Sequence, residues 1–534
     1  MLFCLFLIII IIYTIVALYK TGAYIYIYFK LKNVGTINVS DNKGEYPYTF
    51  LLVPGLREQS LVEETITYFN KFNYPREKLK VMIITTEKEN NQKEINSKRV
   101  NQFCDEIYEK IDMQTIINKN KGLFPKIYLE QILDIITSKP KEIGSEIILE
   151  LYNNIPLTSD LASKYVDKMN NESDMPIFIH VHYPKTEGGK PSQLNYAISL
   201  IEEQGYVNDI NAPIYIGVYD FDSRPDLRTG QFIANEIISR KRKNLRLPAM
   251  FQQTQLPLSG FYMKVKGKFN QAILKGNTII YIRRALGIEL FKIYLMNLVN
   301  SKNNNWLVNA FFRPVVYGIG SGMYVNLDTL KSVNYFPEPQ EDLAMGYRMC
   351  MLGEEIIPIS YLNFMQPYDS CRQMINAFSM TFNSALCIHK EKNITKNLTP
   401  KKVLNNFEKN TLIVKEWVEC IIWLIGVPIL IFTYISFIFI YKISVVLLLI
   451  IIIPIFIRTY FDMYFLAKSI DVLRENYKGQ NENKIKYSFM EKFLILLLAP
   501  IHGLIRIMSP IKGVYLIIKK YIFNSCAERT KTER

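Results

Sequence analysis

The chain has 534 residues, of which 49% are hydrophobic and 21% are charged. This composition excludes a disordered, collagen-like or coiled-coil protein, and the length allows several domains. Lys and Arg outnumber Asp and Glu by 64 to 49, which gives a formal net charge of +15. Much of this surplus flanks apolar runs, and basic clusters interleaved with aromatic residues are absent, so nucleic-acid binding is not expected. The seven cysteines lack C-x-x-C spacing, which indicates neither a zinc site nor a disulfide framework and fits a reducing compartment.

The chain begins with an apolar segment, Leu2 to Tyr19, that contains no charged residue. About 20 apolar residues are enough to cross a bilayer, and neither a basic n-region nor a good cleavage site marks a signal peptide. Residues 1–20 are therefore predicted to form an uncleaved transmembrane anchor. Lys20, Lys30 and Lys32 follow the segment, and the positive-inside rule then places the large central region in the cytoplasm.

Two more apolar runs lie near the C-terminus, Val418 to Tyr441 and Ile443 to about Leu466. Each is long enough to cross a bilayer, and Lys442 alone separates them, which indicates a tight hairpin. We therefore predict two transmembrane helices within residues 418–466.

The last apolar stretch, residues 493–523, contains prolines and charges. A transmembrane helix, a re-entrant hairpin and an interfacial helix all stay open for it. Residues 467–492 are predicted to form a cytoplasmic amphipathic segment and residues 524–534 a basic cytoplasmic tail. The expected localisation is the inner cell membrane, with several crossings and a cytoplasmic central domain.

Between the apolar ends, short apolar strands alternate with helical segments. Strands are predicted at residues 48–54, 79–85, 176–182 and 212–219. This alternation predicts an α/β fold with a parallel or mostly parallel sheet that is covered by helices. A helical insertion over about 88–173 separates the second strand from the third and carries no readable motif. Because ligands bind at the carboxyl ends of parallel strands, we expect the chemistry in the loops that follow them.

The fourth predicted strand leads into Asp220 and Asp222. Residues two apart on a strand share a face, so both carboxylates point to one side and can supply oxygen ligands to a hard divalent cation. Such a cation stabilises a departing diphosphate. Taken alone, the pair is better explained as a capping and turn cluster, and only its context among the other motifs reverses that preference.

Two glycine-containing segments lie on either side of this pair in the chain. Gly188, Gly189 and Lys190 precede a helix that starts with Pro191, an arrangement that suits an anionic phosphate. An ordinary loop-to-helix entry is the alternative. Residues 317–323 form a glycine-rich loop ahead of a short strand, and glycines let a backbone approach a ligand closely.

An acidic pair, Glu341 and Asp342, opens a predicted helix over residues 343–352. The pair caps the helix and complements its dipole, or it presents a general base, and its position alone favours the cap. His180 and His182 share one face of the third strand, as a metal pair would. No third ligand is near in sequence, which favours a structural role for the two histidines.

The ordered combination of these features is specific, although no single member is. It consists of the strand ending at Pro54, the strand followed by Glu87, Gly188 to Asn195, Asp220 with Asp222, the loop Gly318 to Gly322, and Glu341 with Asp342. This order resembles the membrane-integral family-2 glycosyltransferases, which include cellulose, chitin and hyaluronan synthases. The resemblance covers nearly the whole chain. It implies a cytoplasmic GT-A domain, Rossmann-like with a mostly parallel sheet, over residues 45–400, together with transmembrane helices.

The resemblance also implies a reaction and its residues. The reaction is an inverting, metal-dependent transfer of a hexosyl-type sugar from a nucleotide-sugar donor to a lipid-linked or envelope glycan acceptor, as in polysaccharide biosynthesis. A partner protein for export fits the same picture. The implied roles are metal binding for Asp220 and Asp222 with Mg²⁺ or Mn²⁺; catalysis for Asp342 as general base with Glu341 beside it; nucleotide-sugar binding for Glu58, Glu87, Lys190 and Asp220; and acceptor binding for Gly320, Ser321, Gly322 and Gln373.

Two other classes of function remain as alternatives. Erosion of the Gln-x-x-Arg-Trp motif of processive synthases, of which only Gln373 is kept, indicates a catalytically silent glycosyltransferase-like scaffold or receptor. The presence of Asp220, Asp222 and Asp342 together argues against it, because a silent protein has no need for all three. A transporter or channel requires polar residues within several long spans, whereas only three clear spans are predicted.

Overall fold

The computed structural model describes residues 2–32, 45–109, 123–125, 128–205, 212–257, 267–302, 305–338, 340–366, 370–396, 404–439, 460–465 and 488–523. The strands, in chain order, are β1 (Tyr48–Pro54), β2 (Leu79–Thr86), β3 (Phe178–Tyr183), β4 (Ile214–Val218), β5 (Arg224–Pro225), β6 (Met250–Leu256), β7 (Met323–Asn326) and β8 (Ile356–Phe364).

The helices, in chain order, are α1 (Leu2–Lys32), α2 (Val62–Phe69), α3 (Glu87–Glu109), α4 (Leu129–Ser138), α5 (Lys141–Asn154), α6 (Thr158–Asn171), α7 (Lys190–Glu203), α8 (Thr229–Arg242), α9 (Lys268–Arg284), α10 (Phe291–Lys302), α11 (Trp306–Phe312), α12 (Leu327–Ser332), α13 (Glu341–Met351), α14 (Cys371–Leu386), α15 (Ile388–Lys396), α16 (Asn406–Phe439), α17 (Phe489–Leu497) and α18 (Ala499–Phe523). A π-helical segment, Ala285–Leu290, joins α9 to α10.

The chain divides into two compact units. The described residues of Pro47–Asp222 and Phe336–Pro339 form one of them, which we call the parallel unit. Those of Met1–Tyr46, Ser223–Tyr335 and Gln340–Thr530 form the other, which we call the helical unit. One boundary in the chain therefore falls directly after Asp222.

The parallel unit contains four strands in the order β3-β2-β1-β4, and every neighbouring pair is parallel. The two central strands are apolar and buried along their length: Leu51, Val53, Val81 and Ile83 are all 0% exposed. Such continuous apolar runs are typical of parallel strands that are covered on both faces. The strands predicted from the sequence correspond to β1–β4, with ends that differ by at most two residues.

The insertion between β2 and β3 is helical, as the sequence predicts, and consists of α3–α6 in its described part. It has an apolar core of its own, to which Phe103, Phe124, Ile148 and Tyr152 contribute. Burial raises the pKa of the Cys104 thiol to about 11, so this cysteine is held in its unreactive thiol form.

The helical unit contains the strands in the order β7-β6-β8-β5. β6 runs parallel to β8 and antiparallel to β7, and β5 is antiparallel to β8. β6 is unusual because four consecutive polar residues, Gln252 to Gln255, are at most 6% exposed. The side chain of Gln253, for example, donates hydrogen bonds to the Thr229 hydroxyl (2.8 Å) and the Leu362 carbonyl (3.1 Å). These bonds satisfy polar groups that would otherwise be buried at a cost.

The N-terminal helix α1 is longer than the predicted anchor of residues 1–20, because apolar and aromatic residues continue the helix beyond Lys20 to Lys32. Its second half is buried on one side, where Tyr24, Ile27 and Leu31 pack into the core of the helical unit. In its first half, large apolar side chains such as Ile12 (55% exposed) face outward. An exposed apolar helix surface of this kind suits a bilayer.

In the part of the chain that the structure describes, three helices are long and apolar enough to cross a membrane: Leu7–Lys32, Asn406–Phe437 and Ile501–Lys519. The second contains most of the predicted span 418–441. The third lies in the segment 493–523, which the structure shows as two successive helices, α17 and α18. Most of the predicted span 443–466, most of the segment 467–492 and the whole tail 524–534 lie outside the described residues.

Candidate functional site

The loop after β1 carries Glu58 and is held by a buried carboxylate of the helical insertion. Glu89 accepts hydrogen bonds from the backbone N–H of Arg57 (2.9 Å) and from the side chain of Gln59 (2.9 Å). It also accepts from the backbone N–H (2.9 Å) and the hydroxyl (3.0 Å) of Thr158. The Thr158 hydroxyl oxygen in turn accepts from the Glu58 N–H (2.8 Å). Glu89 thus fixes the backbone of this loop and the place of Glu58.

The sequence-predicted residues Lys190 and Asp220 form an ion pair in the parallel unit. Lys190 begins α7, Asp220 follows β4, and Nζ lies 2.8 Å from Oδ1. Asp222 is buried at 3% exposure, and Phe221 between the two acids is 1% exposed. The Phe221 carbonyl accepts a hydrogen bond from the Thr65 hydroxyl (2.6 Å), which fixes the turn. The result is one accessible and one buried carboxylate, with an ammonium group on the accessible one.

Asp220 and Asp222 are the predicted metal ligands, and two carboxylates are fewer ligands than a divalent cation needs. Carboxylate oxygens are the ligands that Mg²⁺ and Mn²⁺ prefer, and Mg²⁺ commonly binds through one or two carboxylates plus substrate phosphates. Within the described residues, no group of three or more His, Cys, Asp or Glu side chains is arranged to hold a metal ion. Asp220 and Asp222 alone would therefore not complete a metal site, and phosphate oxygens and water would have to supply the other ligands.

The histidines of β3 belong to a hydrogen-bonded chain with the end of β2. Thr85 Oγ1 lies 2.8 Å from His180 Nε2 and 3.0 Å from His182 Nδ1. His182 Nε2 lies 3.0 Å from a carboxylate oxygen of Glu87. The hydrogen bond with His182 and, to a smaller extent, the hydrogen bond from Asn90 hold the pKa of Glu87 below its usual range. These contacts agree with the structural role predicted for the histidines, and they keep Glu87 ionised.

The N-terminus of α7, where the sequence predicts a phosphate, holds a carboxylate of the chain itself. Glu338 accepts hydrogen bonds from the backbone N–H of Ser192 (3.0 Å) and from the Ser192 hydroxyl. Asn195 donates to the carbonyl of Phe336 (2.9 Å) and accepts from its N–H (3.0 Å). Residues 336–338 are thus docked on α7 by two side chains. The helix dipole favours negative charge at this position, and Glu338 supplies it.

The glycine-rich loop belongs to the helical unit and is held from inside by Ser321. Ser321 is 0% exposed, its Oγ lies 2.5 Å from Ser223 Oγ, and it accepts a hydrogen bond from the Asn363 side chain (2.8 Å). Gly322 has a φ of +81°, and a Cβ there would overlap the side chain of Gln253. Glycine is therefore required at this position. The Ser321 hydroxyl is engaged within the protein, and Gly320 beside it is half-buried.

The acidic pair lies in the first turn of α13, which begins two residues earlier than predicted. Glu341 is buried at 4% exposure and Asp342 is half-buried. The Asp342 carboxylate accepts a hydrogen bond from the N–H of Leu343 (2.8 Å), and its carbonyl accepts from the N–H of Gly318 (3.2 Å). The acidic pair and the start of the glycine-rich loop are therefore in direct contact.

The remaining predicted residues lie apart in the chain. Gln373 is in the first turn of α14, where its N–H donates to the hydroxyl of Ser370 (3.3 Å) at the helix start. Glu58 and Glu87 follow β1 and β2, which are adjacent parallel strands. Within the parallel unit the structure thus places all five predicted residues after strands or at a helix start. In the helical unit it joins Asp342 to the loop of Gly320.

Three residues that hold parts of the candidate site in place were not predicted from the sequence. Glu89 and Glu338 organise the first loop and the start of α7, and Asn363 holds Ser321. Glu89 carries a weak signal, since acids are common in the first turn of a helix. Glu338 stands between Pro337 and Pro339 and looks like part of a connector.

Comparison with known protein families gave no match, and no curated protein matches the chain. Among solved structures, the mannosyltransferase PcManGT from Pyrobaculum calidifontis in complex with GDP-Man and Mn²⁺ is similar with a TM-score of 0.41 and 12% identity, over 94% of this chain and 98% of that one. TarS 1-349 of S. aureus in complex with UDP-GlcNAc is similar with a TM-score of 0.30 and 11% identity, over 90% of this chain and 93% of that one. At these TM-scores neither similarity decides the fold or the function.

Replacing Ser321 by Ala tests the internal support of the loop. The change leaves the buried polar groups of Ser223 and Asn363 without this partner, which should lower the free energy of unfolding by about 1–3 kcal/mol. The measurement is the thermal unfolding midpoint of detergent-purified protein. Ser332→Ala, on the exposed side of α12, is the control and should leave the midpoint unchanged. Equal midpoints for Ser321→Ala and the parent would contradict the role assigned to Ser321.

Proposed function

We propose that the protein is a membrane-bound, inverting glycosyltransferase of GT-A type. It moves a sugar from a nucleotide-sugar donor to a lipid-linked or envelope glycan acceptor. The observation that carries the proposal is the ion pair of Lys190 with Asp220, beside the buried Asp222, at the carboxyl ends of parallel strands. This edge is where α/β sheets bind their ligands. Two carboxylates and an ammonium group together suit a diphosphate and its divalent cation.

On the donor side, the proposal assigns Asp220 and Asp222 to Mg²⁺ or Mn²⁺, which would neutralise charge on the departing nucleotide diphosphate when bound. The Lys190 ammonium group contacts Asp220 in the structure. Because it has three N–H donors, it could keep this contact and also donate to a phosphate oxygen of the bound donor. Glu58 and Glu87, at the ends of β1 and β2, are assigned to the nucleotide. The ionised Glu87 can accept hydrogen bonds from N–H or O–H groups of a nucleoside.

On the acceptor side, Asp342 is assigned the role of general base, with Glu341 beside it. The acceptor oxygen forms a bond to the anomeric carbon while its proton passes to the Asp342 carboxylate. The bond from that carbon to the diphosphate oxygen breaks on the opposite face, and its electron pair leaves with the nucleotide. This in-line attack inverts the anomeric configuration. The glycine-rich loop, with Gly320 and Gly322, and Gln373 are assigned to acceptor binding.

Membrane association follows from the three apolar helices, and we propose a multi-pass protein of the inner membrane with a cytoplasmic catalytic domain. The orientation rests on Lys20, Lys30 and Lys32, since basic residues near a span favour the cytoplasmic side. An acceptor that is lipid-linked would meet the enzyme at this surface.

The orientation can be measured with reporter fusions. A green fluorescent protein fused after Lys32 and another fused at the C-terminus should both fluoresce, and alkaline phosphatase at the same points should be inactive, because both points are expected in the cytoplasm. Phosphatase activity after Lys32 would invert the proposed topology.

Replacing Asp222 by Ala should abolish metal-dependent donor binding, because the change removes one of the two proposed carboxylate ligands. Titration of purified protein with nucleotide sugars, with and without Mg²⁺ or Mn²⁺, measures this binding. The exposed Asp174 of the parallel unit provides a control, and Asp174→Ala should bind like the parent. Binding of full strength by Asp222→Ala, or binding that ignores the metal, would contradict the metal assignment.

The reaction itself is tested by nucleotide release from UDP-, GDP- and other activated sugars by detergent-purified protein. Asp342→Asn should leave donor binding nearly intact while turnover falls by about 10² or more, because the base is lost. Asp328→Asn, an exposed acid of the same unit, should turn over like the parent. Absence of both turnover and metal-dependent binding with every donor would favour the silent scaffold or receptor over the enzyme.

A further inference from the structure

Helix α13 contacts the glycine-rich loop through a residue with no side chain. Gly346 lies so close to the backbone of Tyr317 and Gly318 that an added Cβ would overlap both. The N–H of Gly318 also donates to the carbonyl of Asp342 in the first turn of the helix (3.2 Å). The acidic end of α13 and the start of the loop are therefore packed as one piece.

Tyr347, the next residue of α13, attaches this piece to the apolar helix α16. Its hydroxyl donates to a carboxylate oxygen of Glu416 (2.8 Å), and the two residues are 2% and 5% exposed. Burial, and next the charge of Glu416, raise the pKa of Tyr347 well above its usual value, so its hydroxyl remains a donor. The second carboxylate oxygen of Glu416 has no hydrogen-bond partner in the described part of the chain. Glu416 belongs to the candidate membrane helix Asn406–Phe437.

Tyr317 provides a second attachment toward the same helix. Its hydroxyl accepts a hydrogen bond from Arg284 (2.8 Å) and donates to Glu289 (2.7 Å) in the π-helical segment. The Arg284 guanidinium lies 5.7 Å from the ring centre of Trp423 in α16, within the range of a cation–π contact. Tyr317, which Gly346 contacts, and Tyr347, which follows Gly346 in the helix, are thus both linked to α16.

Buried charged links of this kind are poor stabilisers. Removing a carboxylate from water costs free energy, and apolar side chains of similar volume hold two helices together equally well or better. A link such as Tyr347–Glu416 instead fixes one relative placement of the two helices, because a hydrogen bond is directional. The placement it fixes is that of α13, whose first turn carries Asp342.

We propose that Tyr347 and Glu416 are positioning residues that hold Asp342 at a fixed place relative to the membrane helix α16. The inference rests on the proposed function, in which Asp342 takes the proton of the acceptor. Tyr347 and Glu416 act through α13 and exchange no proton with the substrate. Their effect is to keep the base in place for an acceptor that is itself held at the membrane.

The test measures metal-dependent nucleotide release by the full-length protein, with the donor that the parent uses. Tyr347→Phe removes one hydroxyl and should lower turnover about 10-fold or more with the donor Kd unchanged, because a small displacement of a catalytic group lowers the rate steeply. In an Asp342→Asn background the same change should have no further effect, because no base is left to position. Tyr361→Phe removes the hydroxyl of another buried tyrosine of the helical unit and should keep the parent's turnover.

Variants of Glu416 distinguish positioning from a general loss of packing. Glu416→Gln keeps an oxygen that accepts from Tyr347 and should retain most of the turnover. Glu416→Leu keeps the packing volume, removes that oxygen and should behave like Tyr347→Phe. If Glu416→Leu does not fold, Tyr347→Phe and Glu416→Gln still decide the question.

The inference is overturned if Tyr347→Phe turns over donor like the parent. It is also overturned if Tyr347→Phe causes the same relative loss in the parent and in the Asp342→Asn background. Failure of the proposed function looks different: the parent then turns over no donor, or Asp342→Asn is as fast as the parent. The two failures are therefore distinguishable in one set of measurements.

Discussion

The direct backbone contact between α13 and the glycine-rich loop is the constraint on which the candidate site of the helical unit depends. Any side chain at Gly346 would push the helix away from Tyr317 and Gly318 and break the bond from Gly318 to Asp342. The distance between the acidic pair and the loop is thus set by backbone packing and needs no side chain. The side chains of Tyr317 and Tyr347, next to this contact, do not set that distance and instead link the site to α16.

How much of the fold the sequence predicts depends on how each strand is buried. β1 and β2 are found from sequence because both of their faces are covered and Leu, Val and Ile fill them. β6 is not, because its buried residues Gln252 to Gln255 look exposed until their partners on distant segments are known. Helix α1 extends past the predicted anchor of residues 1–20 for a related reason: Lys20 looks like the end of a span, but the apolar pattern resumes behind it.

The candidate site divides in the same way. The predicted acidic residues and Lys190 lie after strands or at helix starts, and these positions can be recognised from local sequence. The structure adds the contacts: Lys190 pairs with Asp220, and Asp342 bonds to Gly318 of the glycine-rich loop. The groups that support them are remote in sequence. Glu89 reaches back to the loop of Arg57, and Glu338 reaches α7 at Ser192, so neither role is visible in a single stretch of the chain.

Glu338 also bears on how the protein is made. Residues 336–338 belong to the parallel unit, although the chain on both sides of them belongs to the helical unit. During synthesis, the rest of the parallel unit leaves the ribosome before Ser223–Tyr335, so the start of α7 has to wait for Glu338 and Phe336. Contacts between remote segments slow folding, and an incomplete unit exposes surfaces to wrong partners. A fragment that ends at Asp222 would keep this defect permanently, so a piece in which the parallel unit is whole has to extend at least to Glu338.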